Sequence, residues 1–530
     1  MSLHKQKWLF AVALSIPMLV FFVGYLFNHD ASLIPTGFIQ YDNVSYVAYA
    51  KQYTEPGGLH LFYSNPFNES ANYAPVYFQP QTVLFALLLK IGVPAGCILI
   101  PFTLLCSIIC FRLLIAIVDH LLPGSKHKTI ITWLLAWGGG LLTLTGWAAQ
   151  QVLGQEAVSS IFYFDPGVGW WGLNFGRSLF FSCEAYYHAL FLGIIVCLLK
   201  QKWTAAFILA LLLSLSHPFT GVELLCIVTV WVFLEKIFFK PSQIPVWLMA
   251  GLVLLLAFHV FYYLYYLNLA EDHHSVSLQY ALDWKLRYYN MLPAYCIVGL
   301  LAFSSLFMGN TKIKWLQRSS NRLFLVWFLA AFTLANHELF IKPQQPIHFT
   351  RGYIWTALFL LGLPALDFLL ERFNHGYKKI IAGFFILLFL SDNIAWISLS
   401  AGSKATATSA TYINKEQQLI FDHIKKTTGN STLLVSRDEN ISYLSSVYTD
   451  VYPWYSHPFT TPFADKKNAG LTAFFEQGII DSSWKHRNLV FVFRKSDSID
   501  LKRAETFASF KSMETASYIV ANVNSQQLIR

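Results

Sequence analysis

The residues of this chain able to act as acids, bases or anion ligands gather between its apolar runs: Asp42, Asp165, Arg177, Glu184, His217, Asp272, His273, His274, Asp283, Arg287, Glu338, His348 and Arg351. Carboxylates so placed deprotonate hydroxyls or bind cations, and guanidinium groups hold phosphates in bidentate fashion. Asp42 opens a helical pattern in which Ser45, Tyr46 and Tyr49 recur on one face, so its carboxylate stands beside aromatic surface suited to a sugar ring. The same spacing also fits a helix N-cap, in which an Asp side chain only satisfies free backbone N–H groups. Arg351, in one polar segment with His348, directly precedes an apolar run, and Arg177 lies close to another. Each suits a phosphate at a membrane interface, or equally a snorkelling anchor. Glu184 stands beside His188 at the mouth of a further run, as a site acid or as a favourable charge at a helix N-terminus. Asp165 precedes Pro166 and Gly167 and reads as a turn residue, as does His217 before Pro218. The neighbours Glu271, Asp272, His273 and His274 read as a solvated loop, because adjacent side chains diverge and no second ligand cluster has metal spacing.

The elements that position these groups are spans of a membrane. Hydrophobic residues make up 55% of the 530 and charged residues only 13%, about half the charge of a soluble domain. Apolar runs lie at 8–27, 95–118, 129–148, 185–199, 203–215, 219–239, 246–267, 289–308, 323–335, 353–370 and 380–398, about eleven spans in all. The first has no small-residue cleavage site close behind it and is expected to remain as a span. Every second connection is basic, beginning with Lys5 and Lys7 and continuing through 126–128, 200–202, 236–240, 312–322 and 372–379. The positive-inside rule places these in the cytoplasm and the polar connections outside. This alternation requires the stretch 203–239 to be split at Ser216, His217 and Pro218. A helix at 79–91 is too short to span and is placed in the interface plane. The net charge of +9 is dispersed between apolar runs rather than clustered on one face, which argues against nucleic acid. All seven cysteines lie in or beside apolar stretches, with neither a disulfide framework nor zinc spacing.

The expected fold is therefore an all-α polytopic membrane helix bundle of about eleven spans with long extracytoplasmic loops, followed by a small soluble α/β domain. Residues 1–400 form the membrane domain, with 28–94 as its first outer loop. Hydrophobicity drops after 401, and alternation at 432–436 and 489–493 marks strands of the domain at 401–530.

A first span, a long outer loop with Asp42 near its start, interfacial helices, many further spans and an outer C-terminal domain together resemble the GT-C superfamily of membrane glycosyltransferases. The charged segment of some members is replaced here by Phe78, Gln79, Pro80 and Gln81, which leaves subfamily and acceptor open. The resemblance implies a polyprenyl-linked sugar donor, with a glycan, lipid or protein as acceptor. It implies Asp42 as general base on an acceptor hydroxyl or as ligand of a divalent metal, and no other cofactor. Tyr46, Tyr49, Arg177, Glu184, His348 and Arg351 are the substrate-binding candidates beside it. The expected location is the cytoplasmic membrane of a bacterium, with the C-terminal domain outside. A transporter or flippase of a lipid-linked glycan, or a non-catalytic scaffold, are the competing readings. Polar residues facing one another within spans would favour transport.

Overall fold

The computed structural model describes residues 3–54, 60–68, 75–153, 172–239, 243–308, 312–373, 376–402, 410–429 and 432–524. Asp165 lies outside them. The chain divides into two compact units. One comprises Met1–Gly24, Phe102–Tyr263 and Ala281–Ser403, and the other Tyr25–Pro101, Leu264–Tyr280 and Lys404–Arg530.

The first unit is a bundle of apolar helices, and the chain is that of a membrane protein. Five helices among the described residues are long and apolar enough to cross a membrane: Ala95–Leu121, Ser182–Leu199, Val246–Leu269, Pro346–Arg372 and Lys378–Ala401. Two bent pairs, His4–Leu14 with Ile16–Phe27 and Lys128–Trp137 with Leu142–Val152, raise the number to seven. The expectation of about eleven spans is corrected accordingly. Its excess came from runs that are helical but short or polar. Trp203–Ser216 has 14 residues and reaches only about 21 Å at 1.5 Å per residue. Ser319–Ala335 has 17, and Pro218–Phe238 carries Glu223, Glu235 and Lys236.

Both bends have causes in the sequence. Pro17 lacks the N–H that would continue the first helix, and Ser15 Oγ turns back to the Val12 carbonyl at 2.7 Å. The second pair breaks by 53° at Gly138, Gly139 and Gly140. A Cβ on Gly139 would meet Asp392 Cβ at 2.7 Å, and one on Gly140 would meet the Pro293 carbonyl at 2.3 Å. The carboxylate of fully buried Asp392 fills the break. It accepts from the N–H groups of Gly140 and Thr143 at 2.8 Å and of Leu142 at 3.2 Å, capping the helix that restarts there. Asn393 serves the other side, donating to the carbonyls of Trp137 at 2.9 Å and Gly138 at 3.1 Å.

The second unit contains a five-stranded sheet in the order β4-β3-β5-β7-β6, where β3 is Leu433–Ser436, β4 Tyr452–Pro453, β5 Leu489–Arg494, β6 Lys511–Glu514 and β7 Tyr518–Val523. β3 runs parallel to β4 and β5, and β7 is antiparallel to β5 and β6. Leu433, Val435, Phe491, Phe493 and Val523 face a core completed by Phe474, Trp484 and Phe507. Lys415–Thr427 begins with a capping box of Asn414 and Gln417, and Glu439–Tyr448 with the Asp438 carboxylate on the Ile441 N–H. A two-stranded ribbon joins β1 (Leu33–Pro35) to β2 (Tyr412–Asn414), tying the first loop to the C-terminal residues within this unit.

Candidate active site

Asp42 stands at the N-cap position of the helix Asn43–Gln52, yet its side chain makes no cap hydrogen bond and its backbone is already helical. The carboxylate is instead 56% exposed, and its Oδ1 meets Nε2 of His457 at 3.2 Å. Gln40 Nε2 approaches Oδ2 at 3.4 Å. The N-cap reading of Asp42 is thus overturned.

His457 is buried, its ring packed against both Tyr41 and Tyr443 with centroids 4.8 and 5.2 Å away. Its Nδ1 accepts the Phe459 N–H at 3.0 Å, so in the neutral ring the proton resides on Nε2, which donates to Asp42. Tyr41 donates to Glu439 at 2.5 Å, and Ser45 shares a 2.7 Å hydrogen bond with the Tyr443 hydroxyl. Burial, reinforced by the Asp42 charge, pushes the phenols of Tyr41, Tyr49, Tyr280 and Tyr443 well above their ordinary value. They stay neutral, leaving Asp42, Glu439 and His457 as the groups that can carry charge at this place.

The face predicted from Asp42, Ser45, Tyr46 and Tyr49 is only partly open. Tyr49 stacks on Tyr63 at 5.1 Å, which stacks on Tyr77 at 5.3 Å, while Tyr46 meets Tyr49 edge-on at 6.3 Å. The segment at 271–274 is the start of a helix, Glu271–Gln279, rather than a solvated loop. Asp272 is buried and accepts from Asn68 at 3.5 Å, and the His273 ring bonds the Tyr77 hydroxyl at 2.9 Å. Asn68 is itself buried.

The remaining candidates belong to the helix bundle. Glu184 and Arg351, each 6% exposed, form an ion pair with one another. Two residues beyond Arg351, the Tyr353 hydroxyl meets Nδ1 of His188 at 3.1 Å and donates to Thr220 at 3.3 Å. His217 caps the helix Pro218–Phe238 by accepting from the Thr220 N–H, as suits a turn residue. His348 stacks flat on Phe219 at 4.3 Å and bonds the Gln345 side chain at 2.6 Å. Arg177 is buried with its guanidinium 4.5 Å over the Trp396 ring. Asp42, Tyr46 and Tyr49 thus fall in one unit, and Arg177, Glu184, His348 and Arg351 in the other.

No family model and no curated protein matches the sequence. Two solved structures of the oligosaccharyltransferase of Archaeoglobus fulgidus are similar in fold. One, tethered by a disulfide bond to an acceptor peptide containing the NVT sequon, superimposes with a TM-score of 0.53 at 12% identity, over 93% of this chain and 70% of that one. The other, a complex with Zn and sulfate, gives 0.51 at 11% identity, over 90% and 67%. What is shared at that identity is the fold alone.

A divalent metal on Asp42, one of the two roles the resemblance implies, does not suit the donor set. An imidazole can ligate only through a nitrogen free of its proton, and the Phe459 contact leaves that proton on Nε2 beside Asp42. No cluster of three His, Cys, Asp or Glu with metal-ligand geometry occurs among the described residues.

Sequence reasoning missed His457, which lies 415 residues from Asp42 in a stretch with no spacing signal. It also missed Glu223 and Asp392, fully buried acids inside apolar helices. Glu223 could have been flagged as an acid within a span.

Proposed function

We propose that this protein is a membrane glycosyltransferase in which Asp42 acts as general base on the hydroxyl of an acceptor, while a sugar leaves a polyprenyl-linked donor. The observation that carries the reading is the Asp42 carboxylate, which a cap would have consumed and which is instead exposed and hydrogen-bonded by His457. An ionised carboxylate can take the proton as the acceptor oxygen attacks the anomeric carbon. Direct displacement inverts that carbon. The oligosaccharyltransferase fold supports the same class of chemistry.

For the donor phosphate the guanidinium groups of Arg177 and Arg351 remain the proposed contacts. The Arg177 guanidinium lies over the Trp396 indole, and Arg351 is paired with Glu184. The site and the C-terminal domain are proposed to face the outside of the membrane, in keeping with the alternation of basic connections.

The test is turnover by the purified full-length chain with a panel of polyprenyl-linked sugars, comparing wild type with Asp42→Asn. Asparagine keeps the shape and removes the basicity. Activity that collapses in a folded variant supports the reading, and wild-type turnover in Asp42→Asn ends it.

One set of contacts favours the second reading, a transporter of a lipid-linked glycan. Glu184 with Arg351, and His188 with Tyr353 and Thr220, are polar groups facing one another between apolar helices. Translocation of a fluorescent lipid-linked glycan across proteoliposomes, with no glycosyl product formed, would select it.

A further inference from the structure

Resting on the proposed glycosyl transfer, we infer that His457 and Asp42 form a dyad in which His457 is a positioning residue for the base. Asp42 sits on the first loop and His457 on the C-terminal segment, so the base is completed only where these two parts of one compact unit meet.

Three contacts give His457 a single orientation. Phe459 N–H holds Nδ1, and the Tyr41 and Tyr443 rings both pack against the imidazole, so the remaining N–H points at Asp42 Oδ1. The exposure of Asp42 against the burial of its partner fits a base that meets substrate while the histidine does not. In the reaction, the acceptor oxygen forms a bond to the anomeric carbon as the bond from that carbon to the donor phosphate breaks. The electron pair departs with the phosphate, and the acceptor proton passes to Asp42. His457 keeps its own proton throughout.

Two substitutions separate positioning from structure. In His457→Asn the amide oxygen replaces Nδ1 and can still accept from Phe459, but the donor to Asp42 Oδ1 is lost. In His457→Gln the amide nitrogen takes the place of Nε2 and restores that donor. The dyad predicts that His457→Asn, at unchanged melting temperature, loses about tenfold to a hundredfold in kcat with little change in KM, as for a misplaced base, and that Gln recovers much of it. Removing a hydrogen bond to the charged form raises a carboxylate pKa, so the acid limb of the kcat/KM profile moves to higher pH in His457→Asn. The other titratable groups near Asp42 are Tyr41, Tyr49, Tyr280 and Tyr443, with Glu439 behind Tyr41. The phenols stay protonated through that range, and Glu439 is unaltered by the substitution.

If Asp42→Asn is inactive while His457→Asn keeps wild-type kcat and the same acid limb, the dyad is wrong and the proposed function stands. If Asp42→Asn is as active as wild type, the function itself fails.

Discussion

The two units hold acids of opposite fates. In the bundle, Asp392 spends both oxygens on the N–H groups that restart a broken helix, and Glu184 is tied to Arg351. In the unit built from the first loop and the C-terminal residues, Asp42 has the cap position open to it and does not use it. A carboxylate surrounded by backbone donors in an apolar interior is structural, because leaving those donors unmet costs more than any chemistry it could offer there. A half-exposed carboxylate with one oriented donor keeps a face for substrate. Exposure and partner, rather than residue type, separate the two.

The comparison can be broken most sharply at Asp42. Asp42→Asn should lower turnover by about a hundredfold to ten-thousandfold, the range of general-base catalysis, with the melting temperature unchanged because no cap is lost. Asp42→Ala should match it in both respects. A stability loss of about 1 kcal/mol for Ala but not Asn, the mark of an N-cap, would erase the contrast with Asp392.

The bundle acids should show the reverse, a cost in stability. Arg351→Ala leaves the Glu184 charge buried without its partner, which costs about 3–5 kcal/mol for a buried pair. Replacing both, as Arg351→Met with Glu184→Leu, should recover most of that loss in equilibrium unfolding of the detergent-solubilised chain. Asp392→Ala strands backbone donors at about 1–3 kcal/mol, and Asp392→Asn, which keeps one acceptor oxygen, should cost less. If Arg351→Ala instead leaves stability intact and abolishes donor binding, the pair belongs to the site and not to the scaffold.

How much of this was legible beforehand follows the same line. Apolar composition marked a membrane bundle, and alternation at 432–436 and 489–493 marked strands now seen as β3 and β5. Asp42 was found because an acid and tyrosines recur at helical spacing. Its partner was not, since contacts between residues 42 and 457 leave no local pattern. The excess spans arose because an apolar run does not reveal how long its helix will be, as in Trp203–Ser216 and Ser319–Ala335. Arg351 and Glu184 were each read as site residues on separate grounds, and nothing in either stretch announced that they pair with each other.

The smallest expected effect lies beside the acid of the second unit and tests whether burial alone governs titration there. Burial, with His274 adding to it, lowers the His273 imidazole from about 6.5 to about 4 while its Nδ1 bonds the Tyr77 hydroxyl. The folded state then holds the ring neutral at pH values where the unfolded chain binds a proton. Stability from this group is complete above about 6.5 and falls as pH drops toward 4, since the unfolded state takes up more protons across that window. His273→Gln keeps a hydrogen-bonding partner for Tyr77 and removes the titration, so its melting temperature should fall less than wild type between pH 7 and pH 4. Equal slopes in the two proteins would show that His273 is hydrated in solution. A flatter slope in the variant, with unchanged turnover at neutral pH, would place the histidine among the structural groups and leave Asp42 and His457 as the chemistry of this unit.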